Sequence, residues 1–381
     1  MSDDKTRRPS RQEVPRGLAK VSNIIAVASG KGGVGKSTVS TNFAMALLKT
    51  GAKVGLLDAD IYGPSQPAML GAVGKRPEMR GDYLIPMERH GLKFMSLGLL
   101  MTDDQPVIWR GPMASKMIQQ FLGNVLWDDL DYLIIDLPPG SGDVQITLAQ
   151  QAQLTGAVIV TTPQQVALGV AKKGLQMFET VNVPIVGVIE NMSGFTCPKC
   201  GENTPIFKSG GGEKLAADFK VDFLGSIPLD PELMACGDDG TPLLVKTTDS
   251  SSAKAFIHLA KTFKEKVAKG ALLGKNEARN MEMANGNLEV EWPEGTKNEF
   301  TPYNLRINCG CALCISEDTG QRILDPKQVP LDIKIGAFER VGRYAVTMSF
   351  SDGHNTGIYK FDMLRELAKK QKDSSRESFS V

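Results

Sequence analysis

The sequence is poor in histidine, cysteine and aromatic residues, with three histidines, six cysteines and 6% aromatics in 381 residues. No apolar run approaches the roughly 18 residues that a membrane-spanning helix needs, so no such helix is predicted. The 44 Lys and Arg residues nearly balance the 43 Asp and Glu residues, for a net charge of +1. Such a balance offers no broad basic surface, and we expect neither nucleic acid nor a membrane as a partner.

Residues 1–20 have little apolar content and mixed charge, and they contain Pro9 and Pro15. They lack the apolar region of a secretory signal, and the acidic residues Asp3 and Glu13 fit poorly with an organellar transit peptide. We therefore expect a flexible lead-in and a cytoplasmic location.

A glycine-rich stretch follows the apolar run at residues 24–28 and precedes a helix-forming segment. It fits the P-loop pattern, in which backbone N–H groups and a helix N-terminus surround phosphate oxygens. Lys36 is expected to reach the β- and γ-phosphates of ATP, and Ser37 to coordinate Mg2+. The residues predicted to bind the nucleotide here are Gly30, Lys31, Gly32, Gly33, Val34, Gly35, Lys36, Ser37 and Thr38.

Carboxylates end two further apolar runs. Asp136 follows residues 132–135, and this position suits a residue that holds Mg2+ through water. Asp58 and Asp60 end a second run, and their spacing places both on the same side of an extended chain. We expect all three carboxylates to belong to the nucleotide site.

Five of the six cysteines fall in two clusters, which indicates metal binding rather than a disulfide framework. Cys197 and Cys200 form a CxxC pair, whereas a tetrahedral zinc site or a 4Fe-4S cluster takes about four protein ligands. A twofold axis would bring four thiolates together from two chains, so a homodimer is predicted. A redox dithiol and an intersubunit zinc site are the alternatives. The isolated Cys236 is predicted to be a buried apolar residue.

The second cluster offers three thiols within six residues, Cys309, Cys311 and Cys314, and His354 follows 40 residues later. Three cysteines and one histidine would complete a tetrahedral structural zinc site. An iron–sulfur site and unliganded thiols are the alternatives.

The order of apolar and amphipathic segments predicts the fold. Residues 21–269 alternate short β-rich runs with longer amphipathic stretches, which is typical of a doubly wound, mostly parallel α/β domain. We expect a linker at 270–287 and a small β-rich module at 288–370 that ends in a helix over 363–370. Residues 371–381 are predicted to be disordered.

Lys31 directly follows the first glycine of the loop, which the plain P-loop pattern does not require. The loop thereby resembles the deviant Walker A loop of the MinD/ParA/nitrogenase-iron-protein class. The resemblance implies that Lys31 crosses a dimer interface to the partner's nucleotide, that Asp58 supports Mg2+ and that Asp60 orients the attacking water. It also implies that Asn191 and Pro228 contact the adenine base. A solvated surface lysine and an ordinary turn asparagine are the alternatives.

Taken together, the motifs resemble the Mrp/ApbC-type iron–sulfur cluster carrier ATPases over about residues 21–268. This resemblance implies ATP hydrolysis, transient binding of a 4Fe-4S cluster by Cys197 and Cys200, receipt of the cluster from a scaffold donor and transfer to apo-protein clients. The motifs that carry it lie at residues 30–38, 58–65, 110–113, 136–140, 190–193 and 197–200.

Two other classes of protein share the P-loop. One is a MinD/ParA-type positioning ATPase that acts on a membrane or the nucleoid, but such a protein has no use for Cys197 and Cys200, and the C-terminus lacks a basic amphipathic helix. The other is a metal-inserting or electron-donating NTPase.

The C-terminal module resembles the N-terminal zinc domain of gamma-butyrobetaine hydroxylase-like oxygenases, and we expect it to act as an adaptor.

Overall fold

The computed structural model describes residues 16–100, 121–140, 142–152, 154–181, 183–197, 200, 202–269, 272, 277–316, 321–341 and 345–377. The chain divides into two compact units, Met1–Leu272 and Leu273–Val381. The motif at residues 110–113 lies outside the described residues. No helix among the described residues is long and apolar enough to cross a membrane.

The first unit contains twelve strands among the residues that the structure describes. They are β1 (Val21–Ser29), β2 (Val54–Asp58), β3 (Met79–Arg80), β4 (Tyr83–Leu84), β5 (Met87–Arg89), β6 (Leu92–Ser96), β7 (Leu130–Asp136), β8 (Gly156–Thr161), β9 (Ile185–Glu190), β10 (Phe195–Thr196), β11 (Asn203–Thr204) and β12 (Phe223–Ser226).

Eight of these strands form one sheet in the order β12-β9-β8-β1-β7-β2-β6-β5. All neighbours are parallel except β5, which pairs antiparallel with β6 at the edge. From β1 the chain forms β2, β5 and β6 on one side, returns to place β7 next to β1, and then forms β8, β9 and β12 on the other side, as a doubly wound sheet does. The central strands read as unbroken apolar runs because both of their faces are buried. The predicted α/β class with a mostly parallel sheet is confirmed.

The helices of the first unit lie between these strands in sequence or follow the last of them. Phe43 on the first helix contacts Phe263 on the last one edge to face, with ring centroids 5.1 Å apart, and Tyr132 of β7 packs 5.8 Å from Phe263. Among the described residues the α-helices of this unit are α1 (Lys36–Lys49), α2 (Gln66–Met69), α3 (Asp143–Gln151), α4 (Gln165–Thr180), α5 (Gly211–Phe219), α6 (Pro231–Asp238), α7 (Leu243–Lys246) and α8 (Ser251–Ala268).

Strand order determines where the site forms. Strand β7 lies between β1 and β2, and Asp58 is the register partner of Asp136. Because these strands are parallel, the loop after β1 and both carboxylates meet at one edge of the sheet.

The second unit has two antiparallel three-stranded sheets, β13-β14-β15 and β16-β17-β18, which bears out the predicted β-rich module. Trp292, Phe300 and Tyr359 are among the buried side chains of its core. Its elements are β13 (Asn280–Ala284), β14 (Asn287–Glu291), β15 (Lys297–Phe300), α9 (Pro302–Ile307), β16 (Ile335–Val341), β17 (Ala345–Phe350), β18 (Ile358–Lys360) and α10 (Phe361–Glu377).

Two boundaries differ from the sequence prediction. Residues 280–284, expected in a linker, form β13, because Asn285 and Gly286 have φ of 52° and 83° and make a two-residue hairpin turn to β14. Asn-Gly is a strong hairpin signal, so this strand was detectable. Helix α10 runs to Glu377, seven residues into the expected disordered tail. The added residues include Gln, Lys, Arg and Glu, which favour helix even without an apolar face.

Candidate functional site

The P-loop joins β1 to α1 through glycines, and at three of them the conformation or a close contact disfavours a side chain. Gly33 and Gly35 have φ of 80° and 77°, in the left-handed region that favours glycine. A Cβ atom added at Gly30 would lie 2.5 Å from the backbone of Val170 on α4. Lys36 is the first residue of α1, and Ser37 and Thr38 are half-buried in its first turn. The loop therefore wraps the positive end of a helix dipole.

Lys36 and Asp136 form a buried ion pair in this loop. The Lys36 Nζ atom lies 2.5 Å from Asp136 Oδ1, and the two side chains are 6% and 0% exposed. Ser40 Oγ donates to the same oxygen at 2.9 Å, and Gln66 Nε2 donates to Asp136 Oδ2 at 3.0 Å. The Asp136 carboxylate thus has a donor on each oxygen, which compensates the cost of burying its charge.

The Asp58 carboxylate is fully buried next to Asp136. Its oxygens accept hydrogen bonds from Ser96 Oγ and from the backbone N–H groups of Gln66 and Asp60, at 2.9, 3.1 and 3.2 Å. Burial, and then the negative charge of Asp136, raise the pKa of Asp58 to about 7. Two carboxylates at neighbouring strand ends thereby form a site suited to a divalent cation.

Asp60 is only partly buried, in contrast to Asp58 and Asp136. It accepts hydrogen bonds from the N–H groups of Tyr62 and Gly63, at 3.2 and 3.3 Å. Burial raises the pKa of Asp60 above its ordinary value, an effect that the charge of Lys36 opposes. The Lys31 side chain is exposed.

Gln66, which the sequence reasoning missed, connects three parts of the site. Its side chain is fully buried, its amide nitrogen contacts Asp136, and its amide oxygen accepts a 2.6 Å hydrogen bond from Thr41 Oγ1 of α1. Its backbone N–H holds Asp58. The motif at residues 58–65 ends one residue before Gln66, and no spacing rule marks a single glutamine as a site residue.

Asn191 follows β9 and is 5% exposed. Its side-chain nitrogen donates to the Val34 carbonyl of the P-loop at 2.8 Å, and a Cβ atom on Gly35 would lie 2.3 Å from that nitrogen. Pro228 is half-buried and follows Ile227, whose N–H donates to the Glu190 carbonyl. Both residues lie at the edge of the sheet that carries the P-loop, while their contacts with adenine remain a prediction.

Cys197 and Cys200 lie at the tip of the hairpin formed by β10 and β11. The Cys197 N–H donates to the Glu202 carbonyl at 2.8 Å and closes the tip. Cys197 is partly exposed and Cys200 is exposed. Among the described residues, no group of three or more potential metal ligands includes either thiol. The pair is accessible from solvent, but it supplies only half of a four-ligand set. The isolated Cys236 is buried, as predicted.

The second cysteine cluster converges on His354. The distances from His354 Nε2 to the sulfurs of Cys309, Cys311 and Cys314 are 3.2, 3.6 and 3.9 Å. All four ligand atoms lie within 4.8 Å of one another. Zinc bonds of about 2.3 Å to sulfur and about 2.0 Å to nitrogen, at tetrahedral angles, separate these atoms by roughly 3.5 Å. The donor set therefore fits a zinc ion.

Neighbouring groups hold the side chains of this cluster in place. Arg306 of α9 donates to Asp352 at 2.7 Å and to the Cys314 sulfur at 3.3 Å, and Asp352 accepts the N–H of His354 at 3.0 Å. Burial raises the pKa of the Cys309 thiol to about 12. Burial, and then the charge of Arg306, lower the pKa of His354, which favours the neutral imidazole that binds metals.

The pKa of the Cys311 thiol is lowered, in contrast to that of Cys309. Burial raises its pKa, but a hydrogen bond from Thr356 Oγ1, 3.3 Å from the sulfur, is the largest of several contributions that together leave it lowered. A thiol that loses its proton easily is the better metal ligand.

The sheet order, the P-loop and the paired carboxylates define a P-loop NTPase. Residues 20–264 match the family described as NUBPL iron-transfer P-loop NTPase (ParA), and the chain belongs to this family. Residues 279–365 match the family described as gamma-butyrobetaine hydroxylase-like, N-terminal. Both family resemblances inferred from the sequence are confirmed.

Individual relatives agree with this assignment. The iron-sulfur cluster carrier protein of Escherichia coli K12 is 53% identical over 245 residues, which are 64% of this chain and 66% of that protein, slightly less than two thirds of its length. The protein of the same name from Methanocaldococcus jannaschii is 46% identical over 258 residues, covering 67% of this chain and 88% of the relative.

A solved structure shows the same fold. It is a nucleotide-binding protein from Archaeoglobus fulgidus in complex with ADP, which is 39% identical with a TM-score of 0.56 and covers 65% of this chain and 98% of that one.

Proposed function

We propose that the protein is an ATP-binding and ATP-hydrolysing carrier that holds a labile 4Fe-4S cluster between two copies of the chain and transfers it to apo-proteins. The observation that carries this proposal is the solvent-accessible Cys197–Cys200 pair, with Cys197 partly and Cys200 fully exposed, on the hairpin that follows β9. Two such pairs related by a twofold axis supply the four thiolates of one cluster.

In this proposal, residues of the P-loop and of the neighbouring strand ends carry out the hydrolysis of ATP. Lys36 binds the β- and γ-phosphates after exchanging Asp136 for the nucleotide. Ser37 and Asp136 would hold Mg2+ with support from Asp58, and the ion would neutralise charge on the phosphates. Asp60, which is partly open to solvent, orients the attacking water. Lys31 is exposed, as a side chain that reaches the nucleotide of a second copy must be before the dimer forms.

Transfer of the cluster requires that client thiolates reach the iron. Cys200 is exposed and Cys197 partly so, which permits ligand exchange with an incoming protein. The partners in this proposal are a second copy of the chain, a scaffold that donates the cluster and apo-proteins that accept it, all in the cytoplasm. A MinD/ParA-type positioning role would leave both thiols without a use.

We assign structural zinc to Cys309, Cys311, Cys314 and His354. The metal would tie α9 to the turn after β17 and so stabilise a small module. In this proposal residues 21–269 carry ATP and the cluster, and the β-rich module, which begins with β13 and extends to residue 370, serves as an adaptor.

The test is anaerobic reconstitution with iron and sulfide, comparing wild type with Cys197→Ala/Cys200→Ala. We expect wild type to turn brown with about four irons per dimer and the double variant to gain none, while zinc stays at about one per chain in both. Cys236→Ala is the matched control, because Cys236 is buried and belongs to neither cysteine cluster of the sequence, and it should load like wild type. A colourless wild type, or equal iron in the double variant, would refute the carrier function.

A further inference from the structure

Two consecutive residues at the end of β9 hold two different parts of the site. The Glu190 side chain holds the segment that carries Cys197 and Cys200, and the Asn191 side chain holds the P-loop. We propose that Glu190 is the positioning residue that couples the nucleotide state to the cysteine hairpin. The inference rests on the proposed carrier function, whose two sites it connects.

The Glu190 carboxylate fastens both ends of the segment at residues 191–210. It is 1% exposed, and it accepts hydrogen bonds from Ser193 Oγ at 2.6 Å and Gly210 N at 3.0 Å on one oxygen. Its other oxygen accepts from Gly212 N at 2.6 Å. These two glycine N–H groups open α5, so the helix dipole compensates the buried charge.

The contact with α5 depends on a residue without a side chain. A Cβ atom added at Gly212 would lie 2.9 Å from the Glu190 Cβ atom and 3.3 Å from its Oε2. A glycine is therefore required for the carboxylate to reach the helix N-terminus. Ser193 near the start of the segment and Gly210 at its end donate to the same oxygen of Glu190. Displacement of Glu190 therefore moves both ends of the segment that carries the hairpin.

Asn191 is held against the P-loop by hydrogen bonds. Its side-chain nitrogen donates to the Val34 carbonyl, and its backbone N–H donates to the carbonyl of Thr161 in β8. When phosphate oxygens draw the loop N–H groups inward, the Val34 peptide reorients and Asn191 either follows or loses its hydrogen bond. The planar peptide between residues 190 and 191 transmits that change to Glu190.

The turn between these anchors has a strained backbone. Met192 has φ of 56°, in the left-handed region that a side chain disfavours, and Gly194 has φ of 74°. The hydrogen bond from Ser193 to Glu190 holds this turn in place. Loss of that bond lets the turn relax, and the hairpin then no longer follows the P-loop.

The test is the alkylation rate of Cys197 and Cys200 by iodoacetamide, without iron, read by mass spectrometry of the peptide that carries both thiols. In wild type we expect Mg2+ and ADP to slow labelling by roughly fivefold, a common size for coupling between two sites. In Glu190→Gln the ratio of rates with and without ADP should fall to about one, with an ADP affinity within about twofold of wild type. Ser193→Ala should behave in the same way.

Two control variants separate coupling from general loosening. Ser193→Thr keeps the hydroxyl group and should restore the ADP-dependent ratio, whereas Glu179→Gln changes an exposed carboxylate on α4 and should leave it unchanged. If Glu190 had only a structural role, Glu190→Gln would raise the alkylation rates with and without ADP and keep the ratio between them. That result, or equal rates in wild type with and without ADP, would overturn the coupling. Because labelling needs no cluster, its outcome is independent of whether wild type loads iron.

Discussion

The ammonium group of Lys36 lies 2.5 Å from the carboxylate of Asp136, and both side chains are buried. The residue expected to bind phosphate is thus paired with the residue expected to hold Mg2+. Without nucleotide, each charge compensates the other. With nucleotide, the phosphates and the cation would provide the replacement partners, so binding exchanges one set of ion pairs for another without leaving a buried charge alone.

Removing Lys36 should therefore destabilise the nucleotide-free protein. In Lys36→Met the Asp136 charge stays buried without its cation, and we expect a loss of about 3–5 kcal/mol in the free energy of unfolding, measured with urea. Lys36→Met/Asp136→Asn should regain much of this loss, because the unpaired charge is gone. Lys49→Met, at an exposed position on the same helix, is the control. An equal loss in the single and the double variant would contradict the prediction.

Asp58 should make the stability of the nucleotide-free protein depend on pH. Burial and the charge of Asp136 raise the pKa of Asp58 from 3.8 to about 7, so the folded protein binds this proton more tightly than the unfolded chain does. The stabilising contribution is complete below about pH 4 and is lost as the pH rises to about 7, with a slope of up to about 1.4 kcal/mol per pH unit.

Urea unfolding of wild type and Asp58→Asn between pH 4.5 and pH 8 measures this effect. The stability of wild type relative to the variant should fall through that range and then level off. Asp249→Asn, at an exposed position, controls for the change in net charge and should show the pH profile of wild type. A constant difference between wild type and Asp58→Asn would show that Asp58 titrates at an ordinary pKa.

The sequence predicts those parts of the site that depend on local order. A strand, a glycine loop and a helix specify the P-loop, and a carboxylate that follows an apolar strand lies at the sheet edge whichever strands are its neighbours. Gln66 and Ser40 are different. They act through Asp136, 70 and 96 residues away along the chain, and only the strand order β1-β7-β2 brings them there.

Sequence order also determines how far the contacts of the cysteine clusters and of Glu190 could be predicted. His354 is the only histidine in the C-terminal module, so its meeting with Cys309 could be anticipated across 45 residues, and the structure brings them together. The role of Glu190 could not be anticipated, because it depends on Gly212 approaching the strand without a side chain. A second copy of the chain, which would complete the ligand set of Cys197, stays a prediction.

Lys31 should be dispensable for folding and required for hydrolysis. Its side chain is exposed, so Lys31→Ala should leave the thermal midpoint within about 2 °C of wild type. Loss of a cation supplied in trans should lower the rate of ATP hydrolysis by roughly 10³-fold. Lys49→Ala should change neither quantity.

Mixing two inactive variants tests whether Lys31 acts across the dimer. In Asp60→Asn the attacking water is no longer oriented, but Lys31 is intact. Mixed with Lys31→Ala, it should restore roughly a quarter of wild-type activity, because half of the dimers are mixed and each of these holds one complete site. If Lys31 served its own nucleotide, the mixture would be no more active than the separate variants.

The C-terminal metal site should decide whether the second unit folds. Cys309 and Cys314 are buried beside His354, and a metal ion would bind these polar groups in place of water. Structural zinc contributes about 10–16 kcal/mol of apparent binding energy in zinc-finger peptides, which exceeds the stability of a module of this size.

We expect the zinc content of Cys309→Ser/His354→Ala to fall from about one to less than about 0.1 per chain. Trypsin should then digest the part beyond Leu272, while ADP binding by the first compact unit persists. His258→Ala, which removes an exposed histidine from α8, is the matched control and should keep its zinc. A wild-type protein free of zinc, or a double variant that retains it, would show that the four side chains converge for another reason.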